Sequence, residues 1–341
     1  MRFQASVRIP LALLAVAGAS TACHAAGVFA VGSDSGISSE ARLYDGQSLN
    51  APIDLFPYST FNGGARVAIG DVNGDGRPDL IVAPGAGSTP TIAVYSGVNG
   101  GSLGSFLAFP SGFTGGVYVA AGDVNGDGYA DIVVGPGATG APNVKVFSGR
   151  DGSVLHSFFA YAIGFTGGVR VAAGDVNGDG IADIIVAPGP GGSPDIRVYD
   201  GATLALLDEF FAYQVSFTGG VFVAAADLNG DGHADIITGA DAGGGPDVEA
   251  FNGTNHVSLG GFFAYAPAFT GGVRVAAGDI DGDGKPEIVT ASGSGSTTEV
   301  KVFAWPSLVP AHDFFPFGQS AIGAFVAVPL PTDVIFVDDF E

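Results

Sequence analysis

An all-β propeller of six four-stranded blades is the fold this sequence predicts, and three observations predict it. Phe61, Phe113, Phe165, Phe217 and Phe269 stand 52 residues apart. Each opens a version of F-T-G-G-V-x-V-A-A-G-D-V-N-G-D-G, of which Phe61-Asn62-Gly63-Gly64 is the most divergent. A period of this length indicates a solenoid, a propeller or an array. Within each unit the hydrophobic signal is short and alternating. In the third unit it marks strands over Val169–Gly174, Ile184–Ala187, Ile196–Tyr199 and Leu206–Ala212, parted by Pro-Gly clusters and Asp-Gly or Ser-Gly turns, with no 3.6-residue period. Four strands per unit make a propeller blade.

The third observation concerns the ends. Val28–Thr60 matches the second, third and fourth strands of a unit with no first strand before it. Ala321–Val328 matches a first strand, at a 52-residue offset from Phe269, with nothing equivalent after it. Joining the two completes a sixth blade, pairs both exposed edges and ties the ring shut. First strands are rich in small residues (Ala120-Ala121-Gly122, Ala172-Ala173-Gly174, Ala276-Ala277-Gly278), as strands crowding a central axis require. The expected organisation is a signal peptide over 1–26, one propeller over 27–330 with repeats starting at 61, 113, 165, 217 and 269 and a composite blade from 28–60 and 321–328, and a tail over 331–341.

Composition agrees with a packed, turn-rich protein. The 341 residues include 57 Gly and 20 Pro, but the glycines do not fall every third residue, which excludes collagen; 47% hydrophobic and 13% charged residues argue against disorder. A formal net charge of −22 disfavours nucleic acid and anionic lipid as partners. At the N-terminus, Arg2 and Arg8 precede an apolar run over Ile9–Ala19 and then small residues through Ala26, the pattern of a secretory signal cleaved after Ala25 or Ala26. That run is too short to span a bilayer. A lipoprotein signal would be cleaved before Cys23, but Ser20-Thr21-Ala22-Cys23 lacks the aliphatic residue expected at its first position. Cys23 is the only cysteine, so a mature secreted or periplasmic chain without it has no disulfide to stabilise it.

Each complete first strand runs into D-x-[DN]-x-D-G-x-x-[DE]. The five copies are Asp71-Asn73-Asp75-Asp79, Asp123-Asn125-Asp127-Asp131, Asp175-Asn177-Asp179-Asp183, Asp227-Asn229-Asp231-Asp235 and Asp279-Asp281-Asp283-Glu287. Oxygen side chains at positions 1, 3, 5 and 9, Gly at position 6 for a sharp turn and a free carbonyl at position 7 suit a hard cation with six to eight oxygen ligands. Ca²⁺ fits better than Mg²⁺, which resists dehydration. An EF-hand is excluded, because position 12 is Val82, Val134, Val186, Thr238 or Thr290 rather than Glu and the flanks are strands. Hairpin turn chemistry alone needs one Asp-Gly, not four aligned oxygens. Sixteen of the 34 acidic residues lie in these loops, and about five Ca²⁺ ions would cancel 10 of the 22 net negative charges.

The pattern F-x-G-G…V-A-x-G-D-x-N-G-D-G-x-x-D-[IL] resembles the FG-GAP/VCBS repeats of calcium-bearing propellers related to the integrin α head, over residues 28–328. The resemblance implies side-chain coordination from positions 1, 3, 5 and 9 and backbone coordination from position 7, here Arg77, Tyr129, Ile181, His233 and Lys285. The units are shorter than integrin blades, and integrin heads have seven. Pro331 falls where the composite blade's first metal Asp would stand, so that blade is expected to bind no ion.

Other signals are weaker. Gly135–Gly140 matches G-x-G-x-x-G but is followed by a strand-like Val144–Phe147, so it is expected to be a turn. His156, His233, His256 and His312 are expected at the surface, and Asn252-Gly253-Thr254 is a formal glycosylation acceptor. No G-x-S-x-G elbow, cysteine nucleophile or His/carboxylate set is present. Aromatic pairs in the fourth strands (Phe158-Phe159, Phe210-Phe211, Phe262-Phe263, Phe314-Phe315) are expected to fill the space between blades. The expected function is a secreted, non-enzymatic adhesion or protein-interaction module, with a protein or glycan ligand on the face opposite the metal loops. The alternative is a carbohydrate-binding or lyase-like propeller, since VCBS-type propellers also occur in lectins and polysaccharide lyases.

Overall fold

The computed structural model describes residues 27–330; the signal-peptide region with Cys23, and the tail from Pro331, lie outside it. The chain begins with β1 (Val28–Ser33), β2 (Ser39–Asp45) and β3 (Ile53–Tyr58). Five complete units follow: β4 (Ala65–Gly70), β5 (Asp79–Pro84), β6 (Thr91–Tyr95), β7 (Ser102–Leu107); β8 (Val117–Gly122), β9 (Asp131–Pro136), β10 (Asn143–Phe147), β11 (Val154–Phe159); β12 (Val169–Gly174), β13 (Asp183–Pro188), β14 (Asp195–Tyr199), β15 (Leu206–Phe211); β16 (Val221–Ala226), β17 (Asp235–Ala240), β18 (Asp247–Phe251), β19 (Ser258–Phe263); β20 (Val273–Gly278), β21 (Glu287–Ser292), β22 (Val300–Ala304), β23 (Val309–Phe314). The last strand is β24 (Ala324–Ala327). Among the described residues there is no helix, hence none long and apolar enough to cross a membrane.

Every unit is an antiparallel four-stranded sheet in chain order, and the sixth sheet has the order β24-β1-β2-β3. β24 pairs with β1 from Ala30↔Ala327 to Ser33↔Ala324 and touches the first strands β20 and β4 on either side, so the ring closes through the two ends of the described chain. The register differs from the sequence reading by one residue. Gly323 occupies the place of Gly272, an offset of 51 rather than 52, and the carbonyl of each accepts from the amide of the residue that follows the second strand of the same blade, Asp34 in one case and Gly293 in the other. Pro329 therefore stands where β20 has Gly278 and, lacking an N–H, ends the ladder early, which leaves β24 four residues long. The position of the first metal Asp falls on Leu330, whose side chain turns toward Gly122 at the axis.

Burial falls from the axis outward. First and second strands such as β12 and β13 are buried along their whole length, whereas fourth strands such as β19 alternate between exposed and half-buried residues. The small residues answer to crowding at the centre: a Cβ on Gly174 would come within 2.7 Å of the Ala225 Cβ in the next blade. The fourth-strand aromatics divide into two sets. The first ring of each pair packs on the end of the next blade's third strand, as in Phe158–Tyr199 (4.8 Å between centroids), Phe210–Phe251 (5.0 Å), Phe262–Phe303 (4.7 Å) and Phe314–Tyr44 (5.3 Å). The second ring does not fill an interblade gap. Phe159, Phe211, Phe263 and Phe315 are about half exposed, because strand alternation turns them to the outer face. The tyrosine two residues further on staples blades instead: Tyr161 donates to the carbonyls of Val186 and Asp195, and Tyr265 to that of Glu299. Replacing Phe303, 4% exposed beneath Phe262, by Ala is expected to cost about 3–5 kcal/mol, measured as a shift of the denaturation midpoint.

Candidate metal centre

The five oxygen-rich loops join first to second strands and therefore share one face of the ring. The first carboxylate organises each loop. Asp71 Oδ1 accepts from the amides of Gly74 (2.8 Å) and Asp75 (3.1 Å), and Oδ2 from Gly76 (2.7 Å); Asp123, Asp175 and Asp227 repeat the pattern. Such a tight coil needs positive φ at positions 4 and 6, which Gly74 and Gly76 supply at 73° and 77°. Asn73 Oδ1 accepts from the Asp75 amide, and Asp75 Oδ1 from the Arg77 amide, both at 2.9 Å. The position-5 carboxylates of Asp127, Asp179, Asp231 and Asp283 take the same bond from Tyr129, Ile181, His233 and Lys285.

Position 9 differs from the exposed loop residues. Asp79, Asp131, Asp183 and Asp235 are the first residues of second strands and are fully buried, with Glu287 5% exposed. Each accepts from the position-2 amide: Val72 to Asp79 (3.2 Å), Val124 to Asp131 (3.1 Å), Val176 to Asp183 (3.0 Å), Leu228 to Asp235 (2.9 Å), Ile280 to Glu287 (3.0 Å). The four aspartates also accept from a glycine of the outer hairpin of the same blade, Gly97, Gly149, Gly201 or Gly253. Burial pushes Asp79, Asp183 and Asp235 up to about 6 and Asp131 and Glu287 up to about 7, against the amide bonds that favour the charged form; neighbouring loop carboxylates add to the rise. A buried carboxylate under this strain is relieved by a proton or by a cation.

The fifth loop brings three carboxylates together at positions 1, 3 and 5. Asp279, Asp281 and Asp283 each offer an oxygen within 4.8 Å of the others, with Glu287 outside that cluster. An all-oxygen, acidic donor set of this kind fits a hard divalent cation and no soft one. In the first four loops Asn at position 3 supplies an amide oxygen in place of the third carboxylate.

Consecutive loops also touch. The position-8 amide donates to the position-1 carbonyl of the preceding loop: Ala130 to Asp71 and Ala182 to Asp123 at 2.8 Å, and Ala234 to Asp175 at 2.7 Å. Tyr129, Ile181 and His233 lie over Gly74, Gly126 and Gly178 of the preceding loops. His233 is thus part of a loop-to-loop contact, with Nδ1 2.9 Å from the Val176 carbonyl, rather than a free surface histidine. His156 and His312 are half-buried in β11 and β23, and His256 is exposed, paired with Asp208 at 2.6 Å. Asn252 is 8% exposed and bonds to Asp231 and Thr254, so its amide belongs to the fold and is a poor glycan acceptor. In the Gly135–Gly140 segment, Gly135 and Pro136 end β9 and Gly137–Gly140 lie in the turn that leads to β10.

One constellation escaped the sequence reading. The variable residue x of V-x-V-A-A is Arg66, Tyr118, Arg170, Phe222 and Arg274 in successive units and Phe325 in the sixth, and these six side chains line a recess on the axis. Alternation of Arg with an aromatic ring at that one position was the available signal.

The FG-GAP-like repeat family matches residues 71–134 and 175–238, and the FG-GAP repeat family matches 219–258 and 271–303; together they cover just over half of the chain. Over 173 residues, 40% of this chain, it is 32% identical to integrin alpha-IIb of Mus musculus, and over 205 residues, 52%, it is 27% identical to integrin alpha-V of Gallus gallus. These matches span only 15% and 20% of the integrins' own lengths. A solved structure of a protein of unknown function from Bacteroides caccae aligns with a TM-score of 0.55 at 9% identity, covering 89% of this chain and 98% of that one, a likeness of fold alone. The repeated motif, the six-bladed ring and these matches place the chain in the FG-GAP repeat family.

Proposed function

We propose that this chain is an extracellular, calcium-stabilised propeller that binds a protein or glycan and catalyses no reaction. The observation that carries the reading is the equivalence of the five loops. Each holds oxygen ligands at the same four positions in the same coil, the fifth with Asp281 for Asn and Glu287 for Asp, and no one blade carries an additional set of reactive groups. Positions 1, 3, 5 and 9 supply side-chain oxygens and Arg77, Tyr129, Ile181, His233 and Lys285 a carbonyl each, for about five ions. Bound calcium would supply charge neutralisation and rigidity. The residues themselves coil the loop around Asp71 and its equivalents and tie each loop to the next. The ligand is assigned to the opposite face, which carries Gly- and Pro-rich connections such as Pro136–Pro142 and Pro188–Pro194.

The test uses the purified chain with calcium, a glycan array, and beads coated with extracellular-matrix proteins. Saturable binding without turnover is expected, and Asp179→Ala should retain it at temperatures well below its lowered melting point. Shortened glycan products, or loss of binding by Asp179→Ala while it remains fully folded, would overturn the reading.

A further inference from the structure

The recess at the axis is built from three arginines and three aromatic rings in strict alternation around the ring of blades. The rings of Tyr118, Phe222 and Phe325 meet edge to face, 6.2–6.5 Å between centroids. Each guanidinium lies between two of them: Arg66 is 3.7 Å from the Tyr118 centroid, and Arg170 and Arg274 are 4.9 and 5.2 Å from that of Phe222. The recess measures about 60 Å³, room for a small polar group rather than a sugar ring. It opens on the face opposite the metal loops, because these residues are second in their strands and the loops follow the last. Toward the metal face the axis is lined by Ala and Val and met by Leu330.

Two of the three cations are neutralised from the next blade. Arg170 pairs with Asp241 and Arg274 with Asp34, the latter at 2.7 Å. Asp34 and Asp241 occupy one structural position, the residue after the second strand, whose amide donates to the carbonyl of the glycine before the first strand of its own blade, Gly323 or Gly220. For Arg66 the corresponding residue is Gly137, which has no side chain to offer. Arg66 consequently has no carboxylate partner among the described residues, and its Nε and Nη1 are buried without a hydrogen-bond partner. Nε and Nη1 of Arg170 and Nε of Arg274 are likewise unmatched. Stacking on Tyr118 engages the face of the Arg66 guanidinium but none of its in-plane N–H donors. Burial, with Arg170 and Arg274 nearby, lowers its pKa from the ordinary value, yet an arginine stays charged. The axis therefore holds one net positive charge with its donors unused, a costly arrangement unless an anion completes it.

We propose that this ring is a binding site for one carboxylate group, held by the in-plane donors of Arg66 and balancing the third guanidinium as Asp34 and Asp241 balance the other two. A carboxylate is favoured over other oxyanions because the two filled positions already use one. Its planar pair of oxygens matches the guanidinium fork. The site goes beyond the adhesion reading and stands without it, since it depends neither on calcium nor on a macromolecular partner.

Saturation-transfer NMR on the methyl group of sodium acetate, with acetamide and methanesulfonate as comparators and calcium present throughout, tests the assignment. The wild-type chain should bind acetate saturably and acetamide not at all. Arg66→Leu should weaken acetate at least tenfold, while circular dichroism shows the same fold. Asp241→Gly, which places at that position the residue already present at Gly137, should strengthen the signal by freeing Arg170; it keeps the test decisive if Arg66→Leu does not fold. Equal binding of acetate and acetamide, no response to either variant, or methanesulfonate bound in preference to acetate would overturn the proposal.

Discussion

Removing calcium with EDTA is expected to lower the thermal midpoint of this chain by on the order of ten degrees or more. A site whose Kd lies 100-fold below the free calcium concentration contributes about 2.7 kcal/mol by linkage, and each kcal/mol moves the midpoint of a domain this large by roughly 2 °C. Several such sites are comparable with a whole domain's stability. The effect should depend on pH in a defined sense. Without calcium, the position-9 carboxylates have folded pKa values of about 6 to 7, above those of an unfolded chain, so the folded state holds more protons. That contribution is fully present below about pH 4, where unfolded carboxylates titrate, and is lost as pH rises through the folded values. Calcium needs the deprotonated oxygens, so its stabilisation grows over the same interval. The gap between midpoints with calcium and with EDTA should therefore widen from pH 4 to pH 7.5. An EDTA-insensitive transition, with no metal found by elemental analysis, would exclude the metal assignment.

Truncation at residue 320 is expected to have the second large effect. It removes β24, whose Ala324, Val326 and Ala327 are buried, and unpairs β1, exposing Phe29, Ala30 and Val31 at the axis. An unpaired, apolar inner strand is a template for association with another chain, so aggregation or a severe loss of folded yield is expected. Phe325 goes with it, opening the aromatic triangle. Truncation at residue 330 deletes no described strand and should leave the unfolding transition unchanged. Size-exclusion chromatography and thermal melts of both truncations provide the check. If both behave like the full chain, the closing strand contributes nothing to the ring.

Much of this was legible in the chain because a blade is a local object. Four strands, their turns and the oxygen-bearing loop lie within 52 residues, so Val169–Gly174 and Asp175–Asp183 could be read as strand and loop from alternation and spacing alone. The complementary ends at Val28 and Ala321 announced closure, since a missing first strand and a surplus one fit together only in a ring. Even there the register slipped by one residue: only the bonding of Gly323 shows that the offset is 51 and that Leu330 holds the place assigned to Pro331.

What tertiary structure alone decided is what the ring brings together from different blades. Position 9 looked like one ligand among four, but beginning a buried strand makes Asp183 a fully enclosed carboxylate, bonded to the outer hairpin at Gly201. Loops that read as separate sites are joined by the Ala182 amide and the Asp123 carbonyl, 59 positions apart in the chain. The arginine ring draws on Arg66, Arg170 and Arg274 from alternate blades, and its charge imbalance turns on Gly137 standing opposite Arg66 where Asp241 pairs with Arg170. Sequence periodicity specifies the neighbours within a unit. Only the sixfold closure around one axis sets residues of every unit against one another, and there the differences between repeats, rather than their likeness, fix the chemistry.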